Sequence, residues 1–326
     1  MFQKFNLPIF KYRPDIDGLR ALSILLVVIF HAYPKFLRGG FVGVDIFFVI
    51  SGYLITSIIF KGLSENKFSL LDFYSRRIKR IFPSLITVLI FCLVAGWFIL
   101  LGSEYESLGK HVAAGATYIS NFILYKESGY FDIDSQLKPL LHLWSLSIEE
   151  QFYLVFPLIL IVAARVRFNF LIVISLLFLM SFGLNIFQVN TSPSKAFFFP
   201  HTRFWELLFG SAVAYVNFYG RSNFDLAMNH LCSNKSPKFT PNLLAWTGFL
   251  LIFVAWIGFN YETISYPSGW ALAPAIGAVL LILAGEKAWL NEKFFSSKAM
   301  VGIGLISYPL YLWHWPLLSF THIVQM

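Results

Sequence analysis

The chain has 326 residues, 57% of them hydrophobic and only 13% charged, and its mean hydropathy is +0.68. A single soluble core has no room for that much apolar surface, so a soluble globular domain is excluded and an all-α, polytopic transmembrane helix bundle in a lipid bilayer is expected. The net charge of +8 does not point to nucleic acid: no soluble basic domain is evident, and Lys and Arg gather in the cytoplasmic loops of membrane proteins.

The first ten residues lack the long apolar core and small-residue cleavage site of a secretory signal, so the first span is expected to insert itself. Apolar runs follow at Leu19–Pro34, Phe41–Phe60, Ile81–Leu101, Leu143–Ala164, Phe168–Gln188, Phe204–Tyr219, Leu243–Phe259, Trp270–Gly285 and Met300–Phe320. Each needs about 20 residues to cross, which gives nine spans, or ten if the short segment Val112–Leu124 also crosses. That segment holds Thr117, Ser120 and Asn121, and fits a re-entrant or surface helix as well. Positive charge chooses between the counts. With a cytoplasmic N-terminus and Val112–Leu124 not crossing, 18 of the 25 Lys and Arg residues fall inside; if it crosses, 14 do. Nine spans with the N-terminus inside is the expectation. An odd count ending just past a span reads as an incomplete chain. Residues 1–326 form one domain without internal repeats, and Gly220–Pro241 reads as a cytoplasmic loop. Cys92, in an apolar run, and Cys232, in a polar loop, suggest neither a disulfide framework nor a metal cluster.

The first run carries two ionisable residues. Arg20 and His31 are eleven residues apart. On a helix that is about 20° past three full turns, so both share a face, separated by roughly 16 Å, about half the hydrocarbon thickness. Taken singly, Arg20 snorkels to headgroups and His31 is a satisfied polar residue. The aligned pair favours function, because ionisable groups inside a membrane usually line a pathway. The next run, "GGFVGVDIFFVISGYLIT", places Asp45 among aromatics. An acid there needs a partner, His31 or an arginine, and an Asp can fix a histidine tautomer. Then "LLDFYSRRIKRIFPSL" crowds Arg76, Arg77, Lys79 and Arg80 together. Each alone is an ordinary positive-inside anchor. As a cluster level with Arg20 they make a seat for a polyphosphate, since arginine forks match phosphate oxygens. No glycine-rich phosphate loop accompanies them, so a kinase or ATPase is not expected.

Further on, "HLWSLSIEEQFY" opens a span with Trp144, Glu149 and Glu150. An aromatic belt and an exposed, dipole-favoured helix start are the plainer readings, weakened by two acids in an apolar context. In "HTRFWELLFG", Arg203 and Glu206 are at i,i+3 and are expected to pair. In "YLWHWP", His314 stands between two tryptophans suited to sugar stacking or to a belt.

Together these pieces resemble the acyltransferase-3 family of bacterial integral-membrane O-acyltransferases. The resemblance rests on Arg20 and His31 at the arginine–ten–histidine spacing, and on "GGFVGVDIFFVISGYLIT", "FYSRRIKRIFP", "LLHLWSLSIEEQFYLVFP", "TRFWELLFGSAVA" and "ISYPLYLWHWPLL", spread over nearly the whole chain. It implies an enzyme of the inner membrane that takes an acyl group, usually acetyl, from cytoplasmic acetyl-CoA, without a metal. The acceptor would be a hydroxyl of a surface glycan or lipid-linked saccharide, such as O-antigen, peptidoglycan or exported polysaccharide. On this resemblance His31 is the catalytic group, as base or acyl-carrying nucleophile. Arg20, Arg76, Arg77 and Arg80 hold the coenzyme A phosphates. Asp45 orients His31 or pairs with an arginine. Glu149 binds the acceptor or takes its proton, and Trp144, Glu150 and His314 lie on the acceptor side. Family members usually continue into a further span with a Glu-Pro element, and many then carry an extracytoplasmic domain of the SGNH type. Neither is in this sequence, so an SGNH-type domain or protein is an expected partner. The rival reading is a secondary transporter or flippase of glycans with an intramembrane proton relay, which the lack of repeated halves disfavours.

Overall fold

A computed structural model describes residues 12–128, 135–231, 239–260 and 263–325, and every regular element among them is helical. In chain order the α-helices are α1 (Pro14–Ala32), α2 (Gly43–Ser64), α3 (Leu70–Ile99), α4 (Gly102–Ala116), α5 (Ser120–Glu127), α6 (Leu143–Arg165), α7 (Phe170–Thr191), α8 (Pro193–Phe198), α9 (Pro200–Tyr215), α10 (Arg221–Leu231), α11 (Phe239–Gly258), α12 (Leu272–Ala284), α13 (Lys298–Leu305) and α14 (Ser307–Gln325). Local sequence explains the starts. Pro14 opens α1 where its missing N–H costs nothing, and Asp15 and Asp17 follow in the favourable first turn. Ser69 caps α3 by accepting from the Asp72 amide at 3.2 Å. The 30 residues of α3 rise about 45 Å, more than the roughly 30 Å hydrocarbon layer, so its basic first turns have length to stand at an interface.

Five described helices are long and apolar enough to cross a membrane: Gly40–Ser64, which is α2 with the turn before it, α3, α6, α7 and α11. The other four expected runs fall on helices that miss a condition. α1 carries Asp15, Asp17 and Arg20 within 19 residues. α9 has 16 residues and α12 has 13. The last run is divided at Ile306 between α13 and α14. Val112–Leu124 is not one helix, because α4 ends at Ala116 and Tyr118, at φ 55°, turns the chain into α5. Neither α4 nor α5 is long enough to cross alone. The first ten residues and Cys232 lie outside the described residues. Cys92 is a buried free thiol, and among the described residues no group of His, Cys, Asp and Glu is arranged to hold a metal ion.

Burial sorts the helices. Within the best apolar window, 72% of residues are buried for α2, against 17% for α7, 28% for α11 and 33% for α3, so α2 is the central post and the other three present apolar sides outward. Its close partner is α9. A Cβ on Gly52 would come within 1.8 Å of the Leu207 carbonyl oxygen, and one on Gly210 within 1.9 Å of the Val49 carbonyl. Two missing side chains therefore let the backbones touch, the usual way helices gain contact in lipid, where water offers no drive to associate. The hydroxyl of Thr56 donates to Ser211 across the same seam at 2.8 Å. α1 lies against α2, α13 and α14, and α14 reaches α3. Between α1, α2, α3, α6 and α14 the bundle stays open.

Candidate functional site

That opening is a cavity lined by residues of all five helices. α1 contributes Arg20, α2 contributes Ser51, α3 contributes Arg77 and Arg80, and α6 contributes Ser145, Glu149, Glu150 and Tyr153. Ser307, Tyr308 and Tyr311 of α14 complete the polar wall, with Phe47, Phe48 and Leu54 among the apolar residues. Helical spacing explains why these residues meet. Ser145, Glu149 and Tyr153 recur every four residues on α6, as do Ser307 and Tyr311 on α14, so each set forms one stripe. Arg77 and Arg80 are three apart on α3 and face inward together. Arg76, one turn before Arg80, is exposed and is not among the residues that line the cavity.

The charged groups inside are mostly paired. Arg77 donates to Glu150 at 3.1 Å, and its guanidinium lies 4.0 Å from the centre of the Tyr153 ring. Arg20 donates to Asp17 at 3.2 Å, and Asp17 also accepts from Tyr12 at 2.7 Å. Glu149 accepts from the hydroxyls of Ser51 and Tyr153. Arg80 has no hydrogen bond or ion pair to any described residue, so it is the cavity's unpaired cation. The two glutamates thus share one cavity with the arginines.

At the Tyr311 end the cavity meets a cluster of histidines. The Tyr311 hydroxyl donates to the His142 carbonyl at 2.8 Å and lies 2.5 Å from the Ser145 hydroxyl. One turn on, His314 turns back along α14 and donates from Nδ1 to the Tyr311 carbonyl at 2.6 Å. Its other nitrogen, Nε2, is 2.9 Å from His31 Nδ1, and the two rings stack with centroids 5.2 Å apart. Trp315 meets His31 edge-on at 4.6 Å and is fixed in turn by its Nε1, which donates to the Lys138 carbonyl. The His142 ring, edge-on to His314 with centroids 5.6 Å apart, is buried and neither of its nitrogens has a hydrogen-bond partner among the described residues. Arg20 and His31, on one face of α1, thus reach the cavity and the histidine cluster respectively. His31 itself is not on the cavity wall.

Three expected roles change with these positions. Asp45 does not hold His31. It is fully buried, accepts from Arg203 Nη2 at 2.9 Å and accepts from the Tyr266 hydroxyl. Of its two expected partners, the arginine is the one it meets. Glu206 shares that guanidinium at 3.2 Å, so two buried acids meet one cation. His314 is not presented to an acceptor, because it is only 6% exposed and both ring nitrogens are taken. Trp144 is likewise withdrawn from any sugar: it is buried, its ring centroid is 4.4 Å from that of Phe197, and the Arg203 guanidinium lies 5.6 Å from it. Sequence reasoning passed over Ser145 and Tyr311, and gave Ser51, His142 and Tyr153 no catalytic or binding role. The four-residue stripe on α6 and the i,i+3 pair Tyr311 and His314 were the signals available.

A family model described as an acyltransferase domain matches residues 13–324. The peptidoglycan O-acetyltransferase OatA of Listeria monocytogenes is 34% identical over 320 residues, covering 95% of this chain and 50% of that protein. A Bacillus subtilis protein named "Putative peptidoglycan O-acetyltransferase YrhL" is 34% identical over 328 residues, covering 97% and 50%. The chain spans about half the length of these relatives. No solved structure matches it. With the family model covering nearly every described residue, the chain belongs to the acyltransferase-3 family.

Proposed function

We propose that the protein is a membrane O-acetyltransferase that takes an acetyl group from acetyl-CoA on the cytoplasmic side of the bacterial inner membrane and delivers it to a hydroxyl of a cell-surface glycan. The observation that carries this reading is the cavity itself: three arginines, one of them unpaired, open onto a polar stripe whose far end abuts the His31–His314 pair. The cavity's arginines suit the phosphates of coenzyme A. His31 is the reacting base. The acceptor oxygen attacks the acetyl carbon while its proton passes to the imidazole. The carbon–sulfur bond then breaks, and the thiolate leaves and takes that proton. The names of the relatives favour peptidoglycan as the glycan.

Purified protein in lipid nanodiscs, given radiolabelled acetyl-CoA and a cell-envelope glycan extract, alone or with an SGNH-type protein, tests this. Release of coenzyme A and transfer of label are expected, with His31→Ala abolishing both and leaving donor binding intact. Donor binding without any coenzyme A release under every acceptor condition sinks the acetyltransferase reading. His31→Ala turning over at the wild-type rate removes His31 from the chemistry.

A further inference from the structure

We propose that His314 is a positioning residue for His31: held by the Tyr311 carbonyl, it fixes which nitrogen of His31 carries the proton and accepts that proton as charge develops. This rests on the acetyl-transfer reading above. The argument starts from a carbonyl oxygen, which only accepts hydrogen bonds. His314 Nδ1 lies 2.6 Å from the Tyr311 carbonyl, so Nδ1 bears the hydrogen. In neutral His314 the other nitrogen, Nε2, is then a bare acceptor. That nitrogen faces His31 Nδ1 at 2.9 Å, so His31 must donate from Nδ1. Neutral His31 then has its lone pair on Nε2, which has no hydrogen-bond partner among the described residues. The chain from Tyr311 carbonyl to His314 to His31 therefore leaves one nucleophilic nitrogen free and specifies which one.

Chemistry follows from the same chain. When His31 Nε2 takes the acceptor's proton, the ring becomes an imidazolium with hydrogens on both nitrogens. The Nδ1 hydrogen already points at the His314 Nε2 lone pair, so it can pass across that bond and leave the charge on His314. His314 then donates from both nitrogens, to Tyr311 and back to His31. On departure of the thiolate the Nδ1 proton returns, His31 gives its Nε2 proton to sulfur, and both rings are neutral again. No group other than the acyl thioester and the hydroxyl acceptor is consumed. The packing keeps the donor and acceptor aligned: the two ring planes are within 16° of each other, and Trp315 braces His31 from the side. An imidazole partner is also cheaper in a membrane interior than the carboxylate expected at this place, because a neutral ring carries no desolvated charge at rest.

The test combines a spectroscopic and a kinetic readout on the full chain in nanodiscs. In ¹⁵N-histidine-labelled protein, His31, assigned by loss of its signals in His31→Ala, should carry its hydrogen on Nδ1. In His314→Phe that preference should disappear. The same variant should lose about 100-fold in kcat for coenzyme A release, the scale of one acid–base contribution, with KM for acetyl-CoA within about twofold. His314→Gln offers an acceptor oxygen near the Nε2 position but cannot take the proton. It should restore the Nδ1 hydrogen on His31 and only about tenfold of the lost rate. A His31 hydrogen on Nε2 in the wild type overturns the proposal. So does wild-type kcat in either variant, and if His314→Phe does not fold, His314→Gln alone decides. Absence of coenzyme A release by the wild type refutes the underlying reading instead, and the tautomer measurement still stands by itself.

Discussion

Arg77 and Arg80 sit three residues apart on one helix and face one cavity, yet their surroundings give them different work. Arg77 is held by Glu150 and by the face of Tyr153. Removing it leaves a largely buried carboxylate without its cation, a change that costs about 3–5 kcal/mol in comparable pairs. Arg77→Ala is therefore expected to lower stability first and donor affinity second. Arg80 has nothing to lose in the resting protein, so Arg80→Ala should fold normally and weaken acetyl-CoA binding by about tenfold, the order of one charge-assisted contact. Thermal unfolding and donor titration on both variants check this, and equal donor affinity in Arg80→Ala and wild type removes Arg80 from the donor site. The Asp45 cluster is a second case. Asp45→Asn leaves Arg203 still paired with Glu206 at 3.2 Å, whereas Arg203→Met leaves two buried acids with no cation. The expected order in unfolding experiments is a modest loss for Asp45→Asn and a loss of about 3–5 kcal/mol for Arg203→Met. The reverse order would mean that the guanidinium does not stabilise the buried acids.

At the scale of elements, the central position of α2 depends on the bare backbone at Gly52. A leucine there would drive into the Leu207 carbonyl, so Gly52→Leu should separate α2 from α9 and cost more than about 3 kcal/mol. A Cβ added at Gly183 on α7 would meet no atom within 4 Å, and Gly183→Leu should unfold close to the wild-type temperature. Similar losses in both variants would show that the seam is not close-packed. Glycine at 52 was visible in the sequence, but its partner at 210 was not, since nothing in a linear pattern pairs positions 158 residues apart. The same limit governs the site. Arg20 and His31 were legible together because one helix fixes their relative direction. So was the basic stretch of α3, though not that Arg77 and Arg80 would line the cavity and Arg76 would not. Asp45 announced that it needed a partner, and the choice between His31 and an arginine was a tertiary matter that α9 decided. His314 was legible only as an acceptor-side candidate, because a histidine between tryptophans reads as a sugar-stacking or belt position until α14 is laid against α1.

For the whole molecule the open question is direction: which end of the cavity faces the cytoplasm. The arginine-bearing end of α1 and the basic start of α3 lie at the cavity's charged side, and Lys and Arg are retained on the cytoplasmic side of membranes. On the nine-span reading, the division of 18 of the 25 basic residues predicts the N-terminus inside and the link between α11 and α12 outside. That link is a good reporter. Ser265 is exposed, and its neighbour Tyr266 donates to Asp45, so the label site is anchored to the bundle. The background must first lose Cys232, the thiol in a polar stretch, while buried Cys92 should stay silent. In a Cys232→Ser background, Ser265→Cys should react with a membrane-impermeant maleimide in intact spheroplasts, and a cysteine introduced at Ser75, exposed beside the arginine cluster, should react only after permeabilisation. The two sites test orientation as a pair, because a correctly inserted bundle cannot show both on one face unless an additional crossing intervenes. Labelling of Ser75→Cys in intact spheroplasts with protection of Ser265→Cys would invert the bundle. The arginines would then open to the outside, where no coenzyme A is found, and the donor side of the proposed reaction would have to be abandoned together with the topology.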